Sequence, residues 1–209
     1  MNNISAGRLE LIPLSRSQLE ICLVDLSSLE QQLGLMIARD FFTERVQRAI
    51  SMKIEKMRET DESRHVWLTY WLIVVKETNI GAGMLGFKGY PNAEGSTEIG
   101  YGIDPAYQGK GYMSEAVQAL IEWAFTHPFV SSQKEGETSR RFLQKTWLNR
   151  SNLRDGVSIE WAFTHPFCTK ITATDVENPA SNRLLERLGA IRVGGNEEST
   201  SWEIRKALA

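Results

Sequence analysis

GYGIDPAYQGKGYMSEAVQA, residues 100–119, reads as three structures in succession. A strand over 98–103 has period-2 character. Asp104-Pro105 stops it, because proline has no N–H and restrains the residue before it. Gln108-Gly109-Lys110-Gly111-Tyr112 then forms a glycine loop. A helix follows at once, with Ser114 as its expected N-cap and Glu115 in its first turn. This succession aims several backbone N–H groups at one point. Those donors lack partners inside the helix, and the helix dipole adds partial positive charge. A phosphate or diphosphate fits such a place without a metal. Gly109 and Gly111 have no Cβ and let the backbone come close to an anion, while Lys110 adds a charge at the rim. The other reading is an ordinary strand-to-helix turn that uses glycine.

Gln108-Gly109-Lys110-Gly111-Tyr112-Met113 resembles the Q/R-x-x-G-x-G/A signature of the GNAT superfamily of N-acetyltransferases. Glu98-Ile99-Gly100-Tyr101 before it and Ser114-Glu115-Ala116 after it extend the match. Met113 stands where that family has glycine or alanine, so a larger side chain could crowd the phosphates. The resemblance implies that Gln108, Gly109, Lys110, Gly111, Tyr112, Met113 and Ser114 hold the pyrophosphate of acetyl-coenzyme A. Further on, Asn178-Pro179-Ala180-Ser181 and Leu185 to Gly189 resemble the N-x-x-S…L-x-x-x-G helix of one branch of that superfamily. That branch includes the ribosomal-protein N-terminal (alanine/serine) acetyltransferases. The motifs stand in the family's order, and the resemblance covers nearly the whole chain outside about 130–158. It implies a single acetyltransferase domain over 1–209 of α/β (α+β) class, with a GNAT-like mixed, mostly antiparallel central sheet flanked by helices.

Composition agrees with one domain. The 209 residues are 42% apolar and 24% charged, enough for a sizeable core. A net charge of −2 gives no field suited to nucleic acid or an anionic membrane. The apolar run 67–75 is too short to span a bilayer, and the first residues lack the basic and apolar regions of a signal peptide. Cys22 and Cys168 make neither a disulfide framework nor a zinc spacing, so structural thiols in a reducing cytoplasm are expected.

Along the chain, 8–14 alternates as a first strand. Residues 17–35 read as one helix closed by Gly34, and 41–57 as a second amphipathic helix. The resemblance implies that these helices wall the acceptor cleft. Strands over 67–76 and 82–88 flank a turn at 77–80. Gly81-Ala82-Gly83-Met84-Leu85-Gly86 fits the dinucleotide fingerprint G-x-G-x-x-G, but that fingerprint needs a helix to start on it. Phe87-Lys88-Gly89-Tyr90-Pro91-Asn92 will not form one, so the glycines read as a turn and a pliable strand. The next helix runs over 114–125, with Val117, Leu120, Ile121 and Ala124 as a core stripe. IEWAFTHPF then occurs twice, at 121–129 and at 159–167, around an insertion at about 130–158. The first copy is expected to continue the helix. The second is expected to form an extra helix or to dock on a neighbouring subunit, with exchange of this segment as a route to a homodimer; the alternative is a surface excursion without function. A strand over 169–176, a helix over 179–188 stopped by Gly189 and short strands at 190–193 and 201–206 complete the chain.

Acetyl transfer to an amine needs a base for the amine, a donor to the carbonyl oxygen and a proton for the departing thiolate. Glu98, on the strand leading to the loop, is the candidate base, against the reading of a solvated strand-end charge. By analogy with the family, the backbone N–H of Ile103 is the donor to the carbonyl oxygen, or the same stretch binds the pantetheine arm as a pseudo-strand. Many GNAT enzymes place an acidic tyrosine on the last helix, where this chain has Leu185. Ser181 occupies the place where the ribosomal-protein branch has a serine and is the candidate acid; Asn178 orients the pantetheine. His65, His127 and His165 have no metal spacing and read as helix-end residues, so no metal is expected. The function read from the chain is acetyl-coenzyme A-dependent acetylation of a primary amine, on a protein N-terminus or a small molecule, by direct transfer in a ternary complex. The rivals are an antibiotic- or polyamine-modifying acetyltransferase and a non-catalytic acyl-coenzyme A-binding or sensing module.

Overall fold

The structure is a computed structural model and describes residues 2–127, 168–175, 178–195 and 199–206. Its strands form one sheet in the order β1 (Ile4–Ala6), β2 (Leu9–Pro13), β4 (Trp71–Val75), β5 (Ile80–Phe87), β6 (Ser96–Ile103), β7 (Lys170–Asp175), β9 (Thr200–Arg205), β8 (Ile191–Gly195). The short β3 (Met36–Ile37) lies parallel to the start of β5. Along the main path every neighbouring pair is antiparallel except β6 and β7, which run parallel. The mixed, mostly antiparallel sheet matches the expected fold class.

Helices cover both faces of the sheet. On one side are α1 (Arg16–Val24), α2 (Leu26–Leu33) and α3 (Glu44–Arg58), over a core that includes Leu14, Leu19, Leu29, Ile50, Met57, Leu72, Val74 and Met84. On the other are α5 (Tyr112–Thr126) and α6 (Pro179–Arg187), over a core with Leu9, Leu11, Trp71, Ile73, Leu85, Phe87, Ile99, Leu120, Trp123 and Leu184. Side chains alternate between faces along a strand. Trp71, Ile73 and Val75 therefore enter one core, and Leu72 and Val74 the other. That is why β4 is apolar throughout rather than alternating.

Several boundaries differ from expectation, each for a local reason. The stretch 17–35 is two helices, because the Asp25 carboxylate accepts from the N–H groups of Ser27 and Ser28 and caps a new start at Leu26. Gly34 ends α2 in the left-handed conformation, as expected. Trp67 lies on a short helix, α4 (His65–Leu68), and the strand starts only at Trp71. Ser114 is not the N-cap of α5. The helix starts at Tyr112 after Gly111, whose φ of 82° only glycine adopts without strain, so Ser114 falls inside the first turn. The second strand has an antiparallel partner, β1, that the sequence reading missed.

The glycines of the G-x-G-x-x-G stretch lie inside β5. A Cβ on Gly83 would come 2.3 Å from the Gly102 carbonyl oxygen, and one on Gly86 would come 2.5 Å from that of Thr69. Close backbone approach, not phosphate binding, accounts for them. Residues 121–126 of the first repeat copy form the last turns of α5, where Trp123 packs among Trp67, Trp71 and Phe87. The second copy, at 159–167, the insertion at 130–158, His165 and the expected segment exchange lie outside the described residues.

Candidate active site

The site is built where the parallel pair opens. Strands β6 and β7 share three register steps, Ser96 with Lys170, Thr97 with Ile171 and Glu98 with Thr172. Beyond Glu98 both strands run on without pairing to each other, β6 to Ile103 and β7 to Asp175. The cleft between them is flanked by the loop and helix start that follow β6 and by the helix start that follows β7. Strand β6 donates to and accepts from β5 on one edge, through Glu98 with Lys88 and Asp104 with Ala82. Alternation then turns the N–H groups of Tyr101 and Ile103 toward the cleft. Gly100 and Gly102 leave open space where side chains would stand.

The loop side is a short turn followed by the start of α5. Asp104 Oδ1 accepts from the Ala106 N–H, and its Oδ2 accepts from the Asp40 N–H, which pins the turn after β6 to the segment before α3. Gln108 to Gly111 are exposed. Gly109 and Gly111 have φ of 74° and 82°, and a Cβ on Gly109 would meet nothing within 4 Å. Among the described helices of eight residues or more, α1, α2, α3 and α6 each have a side chain capping their first turn, whereas α5 has none. Its first N–H groups are therefore free to meet an external acceptor. A diphosphate fits this donor set and its lack of bulk. Met113 packs its side chain against the core, which leaves the loop face to its backbone. Lys110 Nζ sits 5.1 Å from the centre of the Tyr107 ring, at the rim.

Across the cleft, Asn178 caps α6 with Oδ1, which accepts from the N–H groups of Ala180 and Ser181. Ser181 is nearly buried, and its Oγ lies 2.6 Å from the hydroxyl of Tyr101 on β6. Leu185 is buried in the core. Glu98 stands at the last shared step of the parallel pair, and Lys88 Nζ donates to its Oε1 at 2.5 Å. On the same side of the sheet, Lys53 donates from Nζ to the carbonyls of Leu68 and Phe87 beneath the Tyr70 ring. Burial, helped by the charge of Lys56, lowers its pKa to about 7. His65 is a buried helix-start residue bonded to the carbonyls of Met57 and Thr60, and His127 ends α5 stacked on Trp123. Among the described residues no group of three His, Cys, Asp or Glu side chains is placed to hold a metal.

A family model described as the acetyltransferase (GNAT) domain matches residues 8–152. The chain belongs to the GNAT acetyltransferase family. An uncharacterized N-acetyltransferase of Bacillus subtilis (strain 168), YjdG, is 41% identical to this GNAT domain over 61 residues, 29% of this chain and 36% of that protein. With the curated relatives it matches, the chain spans 30% to 50% of their length. Solved structures show the same fold. A ribosomal-protein-S5-alanine acetyltransferase from Vibrio fischeri superposes with a TM-score of 0.54 at 17% identity, covering 98% of this chain and 97% of that one. RimL, a ribosomal L7/L12 alpha-N-protein acetyltransferase, was solved in complex with coenzyme A. It superposes with a TM-score of 0.50 at 16% identity, covering 98% of each chain.

The structure brings Ile103, the loop 108–114, Asn178 and Ser181 to the flanks of this opening, with Glu98 at the last paired step. Two residues at the cleft, Tyr101 and Lys88, escaped the sequence reading. Tyr101 follows the strand's alternation with Ile99 and Ile103, so its face was readable. Its partner Ser181 is 80 positions away, and no local pattern links them.

Proposed function

We propose that this GNAT domain transfers the acetyl group of acetyl-coenzyme A to a primary amine, directly and within a ternary complex. The opening of β6 from β7 carries the reading, because it joins an uncapped helix start, cleft-facing amides, a carboxylate and a hydroxyl pair in one cleft. The loop 108–114 holds the diphosphate, and the edge of β6 binds the pantetheine arm while Asn178 orients it. The Ile103 N–H stabilises the carbonyl oxygen as charge develops on it. Glu98 takes the proton of the attacking amine on Oε2, while Lys88 keeps Oε1. As the amine nitrogen bonds to the carbonyl carbon and the C–S bond breaks, the Ser181 hydroxyl gives its proton to the thiolate. The Tyr101 hydroxyl beside it replaces that proton and regains its own from solvent before the next turnover. Neither cysteine is at the cleft. Both are buried, in opposite cores, so neither carries an acyl group.

The charges on the acceptor side favour one class of amine. Lys56 and Lys88 carry charge near Glu98: Lys56 bonds the Lys88 carbonyl and Lys88 pairs with Glu98, while buried Lys53, bonded to the Phe87 carbonyl, loses its charge above about pH 7. Arg45 lies near enough to Tyr70 to act on its hydroxyl, whose pKa burial raises. Such a wall suits an amine with neutral or acidic neighbours, such as a peptide N-terminus, better than a polyamine or a polycationic antibiotic. The test is release of free coenzyme A from acetyl-coenzyme A across a panel of peptide N-termini, polyamines and aminoglycosides. Turnover with peptides is expected. Coenzyme A binding without turnover on any amine would make the chain a binding module instead. With Glu98→Gln the rate should fall most at low pH and recover as the amine loses its own proton, above ~8 for an N-terminus. A deficit equal at every pH would remove Glu98 from the mechanism.

A further inference from the structure

We infer that Arg8, at the β1–β2 turn, is a positioning residue for the diphosphate loop and sets its preference for coenzyme A. The inference rests on the reading of that loop as a diphosphate site. Arg8 lies 102 positions from Lys110 and 107 from Glu115, yet it meets both. Its Nη1 donates to the Lys110 carbonyl at 3.1 Å. Its Nε and Nη2 donate to Glu115 Oε2 at 3.0 and 2.9 Å, and its backbone N–H donates to Oε1 at 2.6 Å. The guanidinium also lies 4.6 Å from the centre of the Tyr112 ring. The turn is shaped for this approach: Gly7 has φ of 44°, and a Cβ there would come 2.7 Å from Glu115 Oε1. Lys76 holds the turn from behind, through Nζ to the Gly7 carbonyl and through its N–H to the Arg8 carbonyl.

Two physical consequences follow for the ligand. The Lys110 carbonyl and the Gly111 N–H belong to one planar trans peptide and point in opposite directions. Fixing the carbonyl on Arg8 aims that N–H away from Arg8, into the loop. Glu115 lies in the first turn of α5, where its charge suits the helix dipole but opposes an anion bound at the same end. Arg8 neutralises that carboxylate through both its guanidinium and its backbone N–H. Neither effect reaches the acetyl group or the acceptor amine.

The test compares two acetyl donors, acetyl-coenzyme A and acetyl-pantetheine, which lacks the diphosphate. The wild type should prefer acetyl-coenzyme A strongly in kcat/KM. Arg8→Ala should weaken coenzyme A binding tenfold or more and reduce the preference between the donors by a similar factor. Arg8→Lys should recover only part, since a lysine cannot clasp Glu115 and the Lys110 carbonyl together. Unchanged coenzyme A affinity in a folded Arg8→Ala chain would overturn the inference. An equal loss with both donors would reduce Arg8 to a role in stability and would also overturn it. Failure of the wild type to bind coenzyme A would instead sink the loop's own reading. If Arg8→Ala does not fold, Glu115→Gln provides the second arm. It removes the carboxylate that Arg8 neutralises while the bond from Arg8 to the Lys110 carbonyl remains, so the preference for acetyl-coenzyme A should rise at least threefold, and no change or a fall would count against the clamp.

Discussion

Tyr101 and Ser181 share one hydrogen bond at the start of α6, and in the proposed mechanism they pass one proton in series. Groups that act in one chain show non-additive losses. Ser181→Ala should lower kcat about tenfold, Tyr101→Phe should cost a similar factor, and the double variant should be no slower than Ser181→Ala alone. Multiplying losses would show that the hydroxyls act separately. Lys53 gives a prediction of a different kind. Folded, it holds its proton only below about 7, whereas an unfolded lysine holds it to ~10.4. Between those values the unfolded chain binds more protons, so stability rises with pH, by about 1 kcal/mol per unit. Burial raises the pKa of Cys22 to about 12 and that of Cys168 to about 11, so both thiols oppose the rise above about pH 9. Urea unfolding at pH 7 and pH 9 should show a gain for the wild type that Lys53→Met lacks; equal gains would reject the buried-charge account. At this scale Ser181 and the loop were readable because each sits in a local motif. Lys53 was hidden among the charges of an amphipathic helix, since one lysine on a helix face does not say what lies beneath it.

Glycines decide several elements by what they allow to come near. Gly83 and Gly86 let β5 lie against the backbones of β6 and of the turn before β4. Gly86→Ala should therefore cost about 2–3 kcal/mol in denaturant unfolding, while Gly109→Ala meets no atoms and is penalised only by its φ of 74°. Equal costs at the two positions would contradict this account of β5. Periodicity found β6, α3, α5 and α6 to within a few residues, because each buries one face and carries a strong start or stop signal. It failed at 17–35, where helical spacing continues across Asp25 although the side chain caps a new helix there. It failed again at Trp67, where apolar character without alternation left helix and strand undistinguished. Ser114 misled as a cap because the glycine before Tyr112 had already turned the chain.

The whole molecule places its opening where the parallel pair of β6 and β7 lets go, with Ile99, Ile171 and Ala173 of its two strands buried in the core beneath α5 and α6. The order of the motifs made this architecture legible, since loop and serine helix each follow a strand of that pair. The lysine cluster near Glu98 was not legible, because Lys53 and Lys56 come from α3 and Lys88 from just beyond β5, and they meet only in the fold. No described helix is long and apolar enough to cross a membrane. The central claim is that amides gathered at the start of α5 grip a diphosphate. A ligand that binds only the folded state stabilises it by mass action, by about 2.7 kcal/mol at a hundredfold excess over Kd. For a chain of this size that raises Tm by about 5–10 °C. The direct test is thermal unfolding in rising coenzyme A: the account predicts a Tm that climbs with the logarithm of coenzyme A concentration and reaches that order at a hundredfold excess over Kd, and an unchanged Tm up to millimolar coenzyme A would contradict it.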